Sequence, residues 1–334
     1  MASTRARPDP PSPPRHATAQ TGTAQHGTMQ NGTTQNGTMQ HGTTQHRTTP
    51  RDAVAGPGMF LAAALACAAG VAGTYWFFVR TTTGQYIDES ALDEAVELYG
   101  GRAAKAALGF LDALPTIAVV LGIGGLIYAA VAKGRWSAAL IAFAGAALAN
   151  VATQVLKAYV FTRPFRGVET LMDNSLPSGH TTLAASAAAA VFLVSSPSWR
   201  PFVAWAGGTF AILSGGATLV NQWHRPSDVI AAFLVVGAIM SPAGWLIMRT
   251  GGRWNSWRGF GSHWAASRLW LALPVLAGLC ATGLAVSLLM RLAAGSGITS
   301  TTHYFWSGIS LIVISGYLLT IAATWLFAVS ARRE

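Results

Sequence analysis

An all-α, polytopic membrane bundle of about eight transmembrane helices is the fold class this sequence predicts. Three observations carry the expectation. Hydrophobic residues make up 51% of the 334-residue chain and charged residues only 10%, a balance that belongs to membrane proteins rather than to a pair of soluble domains. The apolar residues come in blocks close to the ~20 residues that a bilayer-spanning helix needs. The charges fall between the blocks, and their sign differs on alternate sides.

Residues 1–57 precede the first block. They are rich in Pro, Thr, Gln and Gly, and Thr18 to Arg47 repeats a Thr-x-Gln-x-Gly pentad, as in Thr23-Ala24-Gln25-His26-Gly27. Such a stretch has almost nothing apolar to bury, so it is expected to be a disordered low-complexity tail. Its histidines, His26, His41 and His46, are read as part of that drift rather than as metal ligands. The first apolar run starts too late for a signal peptide. With the tail cytoplasmic, the sequons at Asn31 and Asn36 carry no glycan.

Eight apolar runs follow, at about 58–79, 106–131, 136–158, 180–196, 201–221, 228–248, 269–290 and 304–330. The fourth is the shortest. Ala, Gly and Ser crowd the third to fifth runs, which suits close helix packing in lipid. Cys67 and Cys280 fall inside apolar runs and read as small buried hydrophobes, with no disulfide implied.

Charge sets the orientation. With these spans, one side carries 14 basic and 3 acidic residues, and the other carries 8 basic and 9 acidic. The basic side is the cytoplasmic one, so both termini are expected inside. The loop with Asp88, Glu89, Asp93, Glu94 and Glu97, and the loops 157–180 and 224–228, are expected outside. The inner loop holding Arg249, Arg253, Arg258 and Arg268 also holds Trp254, Trp257 and Trp264. That mix suits a segment lying on an anionic leaflet, with a plain solvated loop as the equal alternative.

Chemistry gathers at the outer ends of three runs. Leu176-Pro177-Ser178-Gly179-His180-Thr181-Thr182 turns a polar loop into the fourth run. Ser178 is a natural N-cap there, and a helix N-terminus attracts anions. On the third run, Asn150, Gln154 and Lys157 share one helical face that ends in a cation. Arg163-Pro164 and Arg166 follow. At the sixth run, His224 and Asp228 stand four apart around Pro226, which fits the first helical turn. The spacing lets the carboxylate hold one imidazole nitrogen and leave the other free. Basic residues, two histidines and an aspartate around an anion-binding turn point to phosphate chemistry.

This order, Lys157, Arg163-Pro164, Pro177-Ser178-Gly179-His180 and His224-x-x-x-Asp228, resembles the type-2 phosphatidic acid phosphatase superfamily. That superfamily includes lipid phosphate phosphatases, undecaprenyl pyrophosphate phosphatases and vanadium haloperoxidases. The resemblance covers about residues 58–248. It implies a six-helix phosphatase core there, with 249–334 adding a surface loop and two further helices. It further implies that His224 attacks phosphorus, that Asp228 orients it, and that His180 protonates the leaving oxygen. Lys157, Arg163, Ser178 and the Gly179 backbone would hold the phosphoryl oxygens. No metal or cofactor is implied. The expected partners are a lipid phosphate and the bilayer, not nucleic acid, and the oligomeric state stays open.

Two departures from the family pattern stand out. Five residues rather than six separate Lys157 from Arg163. Ala217-Thr218 replaces the Ser-Arg pair that precedes the final histidine, so a phosphate-binding arginine is missing; Arg166 or Arg225 are the candidates to replace it. The leading expectation is a membrane phosphatase acting on a lipid phosphate or diphosphate at the outer face. The alternative is a catalytically weak relative that binds or moves phospholipid headgroups.

Overall fold

A computed structural model describes residues 57–98, 101–170, 174–293 and 302–331. The tail expected to be disordered lies, apart from Pro57, outside these residues. The described chain is helical, with no strand among the described residues. Its helices are α1 (Gly58–Thr74), α2 (Thr82–Leu98), α3 (Arg102–Ile127), α4 (Trp136–Val155), α5 (Gly179–Val194), α6 (Arg200–Val220), α7 (Pro226–Thr250), α8 (Leu269–Ala293) and α9 (His303–Ser330). One π-helical turn extends α1, α3 and α4 to Val79, Ala132 and Val160.

All eight apolar runs are helices. Among the described residues, seven helical segments are long and apolar enough to cross a membrane, and α5, at 16 residues, is shorter. The ninth helix is α2, where the sequence reading placed an acidic loop. The correction has a plain cause. Gln85, Asp88, Leu92 and Ala95 are buried, and steps of three and four put them on one face of a helix. That face is half polar, so it gives no apolar periodicity to read.

α5 sits at the centre and packs against α3, α4, α6 and α7. α7 packs in turn against α1, α4 and α9. Small residues permit the close approaches. A Cβ on Gly215 of α6 would stand 2.3 Å from a Val229 methyl group on α7, and one on Gly308 of α9 would stand 2.6 Å from the Pro226 ring. Both contacts fall at the N-terminal end of α7, so α6 and α9 hold that end in place. α9 also packs against α2, α6 and α8.

Two further expectations change. Cys67 is buried, but Cys280 is exposed on the outer face of α8. The tryptophan-rich loop after α7 neither floats in solvent nor simply lies flat. It folds back on the bundle, with Arg135 over the Trp254 ring at 4.0 Å, Trp257 packed against the core, and Ala265 and Ala266 buried.

Candidate active site

Backbone hydrogen bonds bring the two histidine motifs together. The Ser178 N–H donates to the Asp228 carbonyl at 2.9 Å, which joins the N-terminus of α5 to that of α7. Ser178 is the N-cap of α5; its hydroxyl accepts from the Thr181 N–H at 3.4 Å, as a helix start requires. The chain enters α7 through a tight reversal. Gln222 has φ of 60°, and the Thr218 carbonyl at the end of α6 accepts from the N–H groups of Trp223 and His224 at 2.9 and 3.3 Å. Pro226 opens the first turn of α7, and the Asp228 carboxylate caps it by accepting from the Arg225 N–H at 3.0 Å.

Asp228 therefore serves two purposes. The same Oδ2 that caps the helix lies 3.2 Å from His224 Nδ1 and accepts from the Ser175 hydroxyl at 2.5 Å. Asp228 is fully buried and His224 is 6% exposed. A carboxylate bound to Nδ1–H leaves Nε2 with a free lone pair. His180, on the first turn of α5, lies near His224 and Lys157. Its ring lies 5.3 Å from that of Trp223, tilted by 46°. Pairing between α4 and α5 sets the place of Lys157. Asn150 donates to Ser186 Oγ at 2.9 Å, the Thr153 and Thr182 hydroxyls meet at 3.0 Å, and the Gln154 amide faces Gly179, where an added Cβ would lie 3.4 Å away.

Arg163 brings its guanidinium inward, with the side chain 4% exposed. Its Nε and Nη2 make no hydrogen bond among the described residues, and Nη2 stands 3.7 Å from Glu89 Oε2. Burial, and then the nearby Arg225 charge, lower its proton affinity.

Arg225 is placed otherwise than expected. It is fully buried. Its Nε donates to Glu89 Oε2 at 2.6 Å and its Nη1 donates to Ser175 Oγ at 2.9 Å. A guanidinium so engaged is not a free stand-in for the missing phosphate arginine. Arg166 is exposed, its carbonyl accepts from the Thr82 hydroxyl at 3.1 Å, and no contact among the described residues brings its guanidinium to His224. Thr218, whose carbonyl accepts from the His224 N–H, is fully buried, with its hydroxyl donating to the Gly215 carbonyl at 2.7 Å.

Three residues of this cluster escaped the sequence reading. Glu89 and Asp88 come from α2, and Ser175 from the loop before α5. Asp88 accepts from the Ser227 N–H at 3.1 Å and from the Ser227 hydroxyl at 2.5 Å, so it caps α7 from a second helix. Burial, with the Asp228 charge nearby, pushes the Asp88 carboxyl up to about 7. A signal for Asp88 and Glu89 existed in the sequence: α2 holds five of the chain's twelve acidic residues, in a protein that is only 10% charged. Ser175 carried none.

Searches of curated proteins and of solved structures found no match. Residues 138–253, which hold Lys157, Arg163, Ser178, His180, His224 and Asp228, match the family model of the PAP2 superfamily.

Proposed function

We propose that the protein is an integral membrane phosphatase that hydrolyses a lipid phosphate or lipid diphosphate at the extracytoplasmic face, with residues 58–248 as its catalytic core. The superfamily match points to phosphatase chemistry in general. The observation that carries the finer reading is the buried Asp228–His224 pair beside His180 at a helix N-terminus.

With Nδ1–H held by Asp228, His224 Nε2 attacks phosphorus in line with the departing lipid oxygen. The phosphorus–nitrogen bond forms as the phosphorus–oxygen bond breaks, and His180 gives its proton to the leaving oxygen. A water then attacks the phosphohistidine, His180 takes the proton that water loses, and inorganic phosphate leaves with His224 restored. Lys157, Arg163, the Ser178 hydroxyl and the N–H groups at the start of α5 surround the transferring phosphoryl group. Preorganised cations and N–H dipoles lower the barrier where negative charge collects. The substrate headgroup would reach these groups from the outer leaflet.

The competing reading is a headgroup binder with little turnover. Thr218 in place of an arginine favours it, since one bidentate phosphate donor is gone.

Phosphate release from lipid mono- and diphosphates, by protein purified in detergent, separates the two readings. We expect release by the wild type, acid-labile phosphohistidine on His224 during turnover, and neither in His224→Ala. His180→Ala should lose ~10²–10⁴-fold on an alkyl phosphate but much less on an aryl phosphate, whose leaving group needs no proton. Label on His180, or undiminished hydrolysis by His224→Ala, overturns the roles.

A further inference from the structure

An unbroken chain of contacts runs from α2 into the site. Glu89 Oε2 accepts from Arg225 Nε at 2.6 Å, Arg225 Nη1 donates to Ser175 Oγ at 2.9 Å, Ser175 Oγ donates to Asp228 Oδ2 at 2.5 Å, and the same Oδ2 lies 3.2 Å from His224 Nδ1. Every member is at most 6% exposed. We propose that Glu89 is a positioning residue for the reaction: by holding the Arg225 charge it keeps Asp228 in register with His224. This inference rests on the phosphatase reading.

Charge balance explains why a carboxylate is needed there. Arg225 stands close enough to Asp228 for their charges to interact. Uncompensated, that guanidinium would draw the Asp228 carboxylate away from the imidazole. Glu89 answers it through Arg225 Nε and leaves Asp228 to His224. Glu89 also lies 3.7 Å from Arg163 Nη2, so one carboxylate steadies the second shared element of the site as well. The other charged groups facing this cluster are Asp88 on α2 and, on the side of His180, Lys157.

A buried ion pair behaves asymmetrically when mutated. Removing one partner leaves a buried charge out of balance, whereas replacing both removes the imbalance. Glu89→Gln should therefore lower kcat by about 10–100-fold, the range seen when a group that orients a functional imidazole is lost, with KM changed far less. The double variant Glu89→Gln/Arg225→Gln should recover most of that loss. A structural role alone would lower the unfolding midpoint of Glu89→Gln while leaving the kcat of the folded protein unchanged.

One readout needs no turnover. The His224 Nδ1–H proton, held by Asp228, gives a downfield resonance in proton NMR of the detergent-solubilised full chain, assigned by its loss in His224→Ala. It should weaken or move upfield in Glu89→Gln and return in the double variant, with thermal unfolding measured alongside. An unchanged resonance and unchanged kcat in a folded Glu89→Gln protein, or a double variant no better than the single one, overturns the proposal. An inactive wild type that still shows the predicted pattern of resonances overturns the phosphatase reading instead.

Discussion

Asp88 shows what burial does to one carboxylate. Its oxygens accept two hydrogen bonds from Ser227, yet desolvation beside Asp228 carries its proton affinity from the ordinary 3.8 up to about 7. Between those values the folded chain keeps a proton that the unfolded chain releases. Stability contributed at this site therefore falls as pH rises through that window and levels off above it. Asp88→Asn keeps an acceptor for the Ser227 N–H and cannot ionise. Its thermal unfolding in detergent, followed from about pH 4 to about pH 8, should show a flatter decline than the wild type and a higher midpoint at the alkaline end. Parallel curves for the two proteins would mean that Asp88 is ionised in the fold throughout. At this scale the sequence revealed the residues whose partners lie in a recognisable motif, such as His224 with Asp228 four positions on. It concealed Asp88 and Glu89, whose partners stand 139 and 136 positions away.

The helix at the centre of the molecule is too short for the membrane, and two arginines answer the shortfall. Sixteen residues give α5 about 24 Å against a hydrocarbon core of ~30 Å. Its last carbonyls therefore end inside the protein, where an unpaired carbonyl is costly. Arg135 Nη1 donates to the Val194 carbonyl at 2.7 Å and Arg200 Nη2 to the Leu193 carbonyl at 3.3 Å. The negative end of the helix dipole favours both cations. Aromatic faces complete the setting: the Arg200 guanidinium lies 4.8 Å from the Phe327 ring centre and 5.8 Å from those of Phe192 and Trp254. Arg200→Leu removes a buried donor and should cost roughly 1–3 kcal/mol of stability. Arg200→Lys should recover little, because an ammonium has no planar fork to bond a carbonyl while stacked among rings. Thermal unfolding in detergent checks both, and a lysine variant as stable as the wild type would refute the argument. The sequence identified Arg200 only as an inner-side charge, since nothing local tells a solvated arginine from one reaching inward to close a short helix.

For the molecule as a whole, orientation is the property most open to test. α7 is a single helix of 25 residues, about 38 Å long, so the His224 end and the Arg249 end lie on opposite sides of any membrane it crosses. The excess of basic residues at the Arg249 end predicts a cytoplasmic location for that end. In a background with Cys67 and Cys280 replaced by Ala, Glu169→Cys should react with an impermeant thiol reagent added to intact cells. Ser262→Cys should react only after the membrane is opened. Both positions are exposed, so accessibility within the protein does not confuse the reading. Labelling of Ser262→Cys from outside would reverse the orientation, and with it the leaflet that feeds the proposed site.

What the sequence determined by itself was the membrane class, the eight apolar helices and the order of the phosphate-suited residues. These follow from hydrophobic run length, charge bias and short-range spacing, and each of those is written in consecutive residues. Tertiary structure alone decided that the acidic segment is a helix, that Arg225 is bound by Glu89 and Ser175, and that Ser178 and Asp228 join through the backbone. The physical reason is the same in all three cases. Helix α2 is held by buried polar contacts to partners far along the chain, and a hydrogen bond between distant residues leaves no periodicity behind. Arg225 reads locally as a cation beside a histidine; only the packing of α2 over the start of α7 places a carboxylate within reach of it.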